Sequence, residues 1–180
     1  MPDMEGCRTM PRMCFPLACF LAFALSGCHQ SAGIRLGGEL PPVTLSDVHG
    51  KTIDLPADIK GKVALVRFWS ISCPLCCKEL LKAIEEIYQK YKDRGFIAVT
   101  INVDPPPASD EEFRKLQFVH YPFLIDPGWA AAKSLGIKSV PITLILDEQG
   151  IVREKISGDA PPEFFEQLVT RVLYKGGFYD

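Results

Sequence analysis

Several things are scarce in this 180-residue chain, and each scarcity excludes something. Neither sign of charge is in excess: the formal net charge is -2, and the Lys and Arg residues are scattered. There is therefore no basic surface of the kind that neutralises phosphates, and nucleic acid is not an expected partner. Histidine occurs three times, at His29, His49 and His120, without ligand spacing, and no second C-x-x-C exists. A closed zinc site needs four such ligands, so structural zinc is excluded. Internal repeats and low-complexity segments are absent. At 47% hydrophobic and 23% charged residues the balance is that of an ordinary globular chain, which excludes a disordered one.

Long hydrophobic runs are also missing, with one short exception. The segment CFPLACFLAFAL (Cys14 to Leu25) follows Arg8 and Arg12 and precedes Ser26 and Gly27, the layout of a secretory signal. It is too short to span a bilayer comfortably. Its ending, LSGC (Leu25 to Cys28), resembles the bacterial lipobox, which implies cleavage before Cys28 and lipidation of that sulfur. An ordinary signal peptide and a buried core helix are the alternatives. The expected organisation is a signal over residues 1–27, a lipidated Cys28 with a small, polar tether over residues 28–38, and one domain over residues 39–180. The acidic Asp3 and Glu5 are unusual in a signal, so translation could start at Met10.

Cysteine is sparse where a disulfide framework would need it. Of seven cysteines, Cys7, Cys14 and Cys19 leave with the signal and Cys28 carries lipid, so Cys73, Cys76 and Cys77 remain. An exported chain with one tight cluster and no widely spaced partners has no disulfide scaffold, so the cluster is chemical rather than a staple.

What is present is a pattern of strands and helices around that cluster. VTLSD and TIDL flank VHGK and suggest a hairpin. VALVRFW (Val63 to Trp69) reads as a buried central strand, and the cysteines follow it directly. From Pro74 to Arg94 the residues Leu80, Leu81, Ile84, Ile87, Tyr88 and Tyr91 recur at helical spacing, with Gly95 as the stop. FIAVTINVD reads as a second buried strand, ended by Pro105 to Pro107. Ser109 with Glu112 three residues on is a capping box that should open a helix. YPFLID, a short helix over Ala130 to Leu135, the strands ITLILD and IVREKIS around EQG, and a last helix from Pro161 complete the pass. This alternation predicts a mixed sheet covered on both faces.

Reactivity at the cluster depends on placement, because the thiolate and not the thiol is the nucleophile. Cys73 lies where a strand gives way to a helix whose first turn begins with Pro74, and a helix N-terminus offers unpaired N–H groups and partial positive charge to the sulfur. Cys76 is close enough in a C-x-x-C loop for a disulfide. The pair suits attack by Cys73 on a partner disulfide, then release as Cys76 attacks the mixed disulfide.

With those residues in view, FWSISCPLCCKEL (Phe68 to Leu80) resembles the active-site segment of the thioredoxin superfamily, and specifically the TlpA/ResA-like thiol-disulfide oxidoreductases. The resemblance runs from about Leu40 to Leu173 and includes YPFLIDPGWAAAKSLGIKSVPITLILDEQG. It implies an α/β, thioredoxin-like fold: a central mixed sheet flanked by helices, with an N-terminal β-hairpin extension. SVPIT then marks a cis-proline loop facing the cysteines, with Pro141 in the site and Val140 offering backbone to a substrate strand. Glu79 stands where the family keeps an acidic residue; if buried it would carry the proton exchanged by Cys76, and the alternative is a solvated glutamate in the first turns of the helix. Trp69 keeps its family place, with a packing role and a share of the substrate surface. The departures are Ser72 in place of the usual Trp, Leu75 in place of the usual Pro, and proline moved to 74, and they leave the direction of electron flow open. By resemblance the chain would reduce protein disulfides in cytochrome c maturation or metal-centre assembly. It would need no cofactor beyond a Cys73–Cys76 disulfide, be recharged by a membrane electron donor, and sit outside the cytoplasm on a bacterial membrane, at its periplasmic side or the cell surface.

Cys77 keeps two other readings open. It shares roughly the helical face of Cys73, so it could join Cys73 in holding Cu(I), as in Sco-type copper chaperones, or be a small core residue. The copper reading lacks the distal histidine of that family, and His120 reads as a surface histidine. A peroxiredoxin-like peroxidase is a further alternative: Ser70 could replace the usual Thr, but Val66 occupies the Pro place.

Overall fold

In a computed structural model the chain divides into two compact units, Met1–Gln30 and Ser31–Asp180. The residues described are 33–47, 49–73, 79–105 and 116–175, all in the second unit. The expected signal, Cys28, Cys76, Cys77 and the helix expected from Ser109 lie outside them.

The second unit is built on one seven-stranded sheet of order β2-β1-β5-β4-β3-β6-β7. β1 (Val43–Asp47) and β2 (Thr52–Leu55) form the expected hairpin, and Asp47 closes its turn by accepting from His49 N (2.8 Å) and Lys51 N (2.9 Å). β3 (Val63–Trp69) and β4 (Phe96–Asn102) run parallel through the centre, with β5 (Phe123–Ile125) parallel to β4. β6 (Ile142–Leu146) and β7 (Val152–Ser157) are antiparallel additions beyond β3. The sheet is mixed, as the pattern predicted. The antiparallel pairing of β1 with β5, which joins the hairpin to the body, left no signal in the sequence.

Strand alternation splits the core into two layers. Val63 and Leu65 face one layer, where α1 (Glu79–Tyr91) and α3 (Pro162–Leu173) bring Leu80, Ile84, Ile87, Phe165 and Leu168 against the sheet. Ala64, Val66 and Phe68 face the other, closed by α2 (Ala130–Ser134) and by Leu40, Leu45 and Leu55. A strand buried on both faces has no need of polar alternation, and all seven residues of β3 are buried. α1 shows the opposite logic: Leu80, Leu81, Ile84, Ile87 and Tyr91 are buried while Lys82, Glu86 and Lys90 are exposed. Gly95, at φ 84°, provides the left-handed turn that lets the chain double back into β4.

The segment expected as a tether is held on the domain from Ile34 onward. Ile34 N donates to Leu135 O (3.1 Å), Gly37 N donates to Val152 O (2.8 Å), and the Ile34 side chain packs against the core. The packed unit thus reaches back beyond Glu39. Ile34 is an apolar residue in a polar stretch, and burying it is favourable enough to dock the segment.

Candidate active site

β3 and β4 are parallel, so their carboxyl ends lie together, and that end of an open α/β sheet is where sites are usually built. Trp69, the last residue of β3, pairs with Asn102, the last of β4. Beyond them the chain makes a tight turn from Ser70 to Cys73, closed by Cys73 N donating to Ser70 O (3.3 Å). The turn is fastened to the end of β4 at each residue. Ile71 N donates to Asn102 Oδ1 (3.2 Å), while Ser70 Oγ (2.8 Å) and Ser72 N (2.9 Å) donate to Asp104 Oδ2. Ser72 Oγ donates to Asp104 Oδ1 (3.1 Å), and Val103 N donates to Trp69 O (2.9 Å).

This turn delivers a half-buried Cys73 onto a small apolar cluster. Its centre is Trp69 and Leu81, both 1% exposed, with Ile71, Leu116, Phe118, Phe123 and Val140 packed around them. Trp69 meets Phe123 edge to face, centroids 6.0 Å apart at 78°, a favourable quadrupole arrangement. Its indole Nε1–H is buried and has no acceptor among the described residues. Trp69 is therefore enclosed by its neighbours and presents almost no surface of its own.

The distant loop joins this cluster as expected. Val140 is half-buried against the same Trp69 and Leu81, and the Val140–Pro141 peptide is cis. Pro141 itself is buried, and its carbonyl accepts from Gly158 N (2.9 Å). Glu79, by contrast, is exposed at the start of α1. The burial on which its proton-carrying role was conditional is not found, and its place in the first turn is the position that the helix dipole favours for an acid.

Two further groups support the site from below. Arg67, two residues before Trp69 on the same face of β3, is 1% exposed; it donates to Thr143 Oγ1 (2.9 Å) and pairs with Asp159. Asp159 adjoins Gly158, so the pair ties β3 to the segment that holds Pro141. On α1, Glu85 accepts from His120 N (2.9 Å), His120 Nδ1 (2.8 Å) and Gln89 Nε2 (2.7 Å). Burial alone would raise the Glu85 pKa, but the hydrogen bonds from His120 and Gln89 outweigh it and hold the carboxyl below its usual range. His120 is exposed apart from this contact, and through it Glu85 anchors the segment that carries Leu116 and Phe118.

The turn and its fastenings were not visible in sequence. Asn102 and Asp104 are polar residues at and just past the end of a mostly apolar strand, which was the available signal; nothing local shows that they face the residues before Cys73.

A cysteine turn at the carboxyl end of a central strand, packed beside a cis-proline loop in a sheet of this order, defines a thioredoxin-like fold. Comparison with known proteins agrees. The redoxin family model matches residues 35–172. Thiol-disulfide oxidoreductase ResA of Bacillus thuringiensis subsp. konkukian is 30% identical over 139 residues, spanning 77% of this chain and 79% of that one. Among solved structures, one assigned to a thiol:disulfide interchange protein DsbE of Chlorobium tepidum superposes with a TM-score of 0.70 at 24% identity, covering 78% of this chain and 99% of that one. The thioredoxin domain of a thiol-disulfide oxidoreductase of Bacteroides vulgatus gives 0.62 at 24% identity, covering 76% and 99%. The chain belongs to the redoxin family, within the TlpA/ResA-like part of the thioredoxin superfamily, and is a thioredoxin-like thiol-disulfide oxidoreductase.

Proposed function

We propose that the chain is a lipid-anchored, extracytoplasmic reductase of protein disulfides. The observation that carries the exchange chemistry is the placement of Cys73: half-buried, on a fastened turn, against the cluster that also holds Val140. In the proposed cycle the Cys73 thiolate attacks one sulfur of a partner disulfide, forming a mixed disulfide and releasing the other partner sulfur as a thiolate. The Cys76 thiol loses its proton and attacks Cys73 Sγ, which frees the partner's second thiolate. Two electrons pass to the partner, whose thiolates take up two protons, and this chain is left with a Cys73–Cys76 disulfide. A membrane electron donor then reduces it.

The partner's extended segment is read against the Val140 and Pro141 backbone, and the apolar cluster excludes water from the sulfur under attack. Cytochrome c maturation or metal-centre assembly would supply such partners. The location rests on the signal-like segment and LSGC at residues 25–28.

Trapping tests the exchange. Cys76→Ser should accumulate mixed disulfides through Cys73 in intact cells, and Cys73→Ser should not. If neither variant traps any protein where a control thioredoxin variant does, the exchange reading is wrong.

A further inference from the structure

The residues before the nucleophile are held unusually firmly, and one group does most of the holding. Ser70, Ile71 and Ser72 each hydrogen-bond to Asn102 or Asp104, and three of those four bonds end on the Asp104 carboxylate, at 2.8, 2.9 and 3.1 Å. Ser70 Oγ and Ser72 Oγ also lie 3.0 Å apart, so the two hydroxyls and the carboxylate form one small network. Ser70 is 5% exposed and Asn102 is fully buried, which fixes the frame from which Asp104 reaches the turn. Asp104 itself is partly exposed, and Ser72 is exposed.

We infer that Asp104 is a positioning residue for Cys73: it holds the Ser70–Cys73 turn and sets a fixed negative charge against the backbone N–H of the residue preceding the nucleophile. This rests on the exchange reading proposed above and deepens it. The residue type matters in two ways. A carboxylate can accept from the Ser72 N–H and from both hydroxyls at once, which neither a serine nor an amide can do equally well. Its charge is also bonded to the N–H of the residue adjoining Cys73, so we infer that a neutral residue in its place makes a thiolate at Cys73 easier to form. Because a stabilised thiolate makes a dithiol more oxidising, a charge that opposes it pushes the couple the other way, toward the reducing behaviour proposed.

The test measures iodoacetamide alkylation of Cys73 in the reduced full chain across pH, resolved by peptide mass spectrometry, with circular dichroism as a check on folding. Asp104→Asn should displace the alkylation profile about one unit toward lower pH, so that at a fixed pH below the midpoint Cys73 reacts about threefold faster, the tenfold gain in thiolate being partly offset by its lower nucleophilicity. Asp104→Ser should do the same and serves if the amide variant does not fold. Ser72→Ala removes one hydroxyl but leaves the charge, and its profile should stay at the wild-type position. If both Asp104 variants overlay the wild type, or if Ser72→Ala moves as far as they do, the inference is overturned.

Alkylation needs neither a partner nor a second cysteine of this chain, so its outcome is separate from that of the trapping experiment. A displaced profile in a protein that traps nothing would support Asp104 and sink the exchange reading. Where exchange holds, the two-electron potential of Asp104→Asn should rise by up to about 30 mV at pH well above both alkylation midpoints, and by much less below them.

Discussion

Arg67 offers a sharp test of how the site is supported. Its guanidinium is 1% exposed in the central strand, facing Thr143 Oγ1 and the Asp159 carboxylate, while the Asp159 side chain keeps 24% of its surface in water. The two charges are therefore unequal in what they lose when separated. Removing the partner of a buried charge costs about 3–5 kcal/mol when both ions are fully enclosed. Partial exposure of Asp159 screens the pair, so Asp159→Asn should cost about 2–3 kcal/mol. Arg67→Met should cost less, about 1–2 kcal/mol, because Asp159 can rehydrate and the main loss is the partner of the fully buried Thr143 hydroxyl. Arg67→Met with Thr143→Val removes both ends of that hydrogen bond and should be more stable than Arg67→Met alone. Urea unfolding measures all three, and with a slope of about 2 kcal/mol per molar, Asp159→Asn should unfold about 1 M earlier than the wild type. Additive losses in the double variant, or an Arg67→Met cost above that of Asp159→Asn, would refute this account of the pair.

Acid should loosen α1 from the segment ahead of β5. Glu85 and Glu166 both sit below the ordinary carboxylate value of 4.5, Glu85 through His120 and Gln89 against the opposing effect of burial, Glu166 chiefly through Lys90 and then Tyr91. Groups with depressed folded values contribute stability that is complete above the unfolded value and is lost as pH falls through the folded one. Stability measured by urea should therefore fall below about pH 4.5, and Glu85→Gln should cost about 1 kcal/mol at pH 7 and flatten that acid limb; an unchanged limb would count against the assignment. Lipidation predicts incorporation of a labelled fatty acid that Cys28→Ser abolishes, and equal labelling of the two would remove the anchor from the model.

The parts of the fold legible in sequence were those written in local pattern. VALVRFW was read as a buried strand and is β3 residue for residue, and the hairpin around VHGK, the amphipathic run behind α1 and the EQG turn are where the pattern put them. Cys73, Val140 and Pro141 were reached through the family's motifs, because the active-site segment and SVPIT keep a recognisable form. The unread part is non-local. Asp104 reaches back 32 residues to Ser72, Arg67 reaches forward 92 to Asp159, and Glu85 meets His120 35 residues on. A polar residue in a single sequence carries no mark of such a partner. Glu79 shows the converse: a position matched by motif, whose suggested role depended on a burial that only packing decides.

The strand that leads to Cys73 is bonded on one side to β4 and on the other to β6, which begins at Ile142, so the turn before Cys73 is fixed by two segments that both come later in the sequence. Pairings of that separation close late, since the entropy of the intervening loop must be overcome first. Until they close, Asp104 has no turn to hold and Val140 has no cluster to join. A chain still emerging from the ribosome thus lacks both the fastened turn and the cluster behind it, and Cys73 acquires its setting only when the sheet is complete.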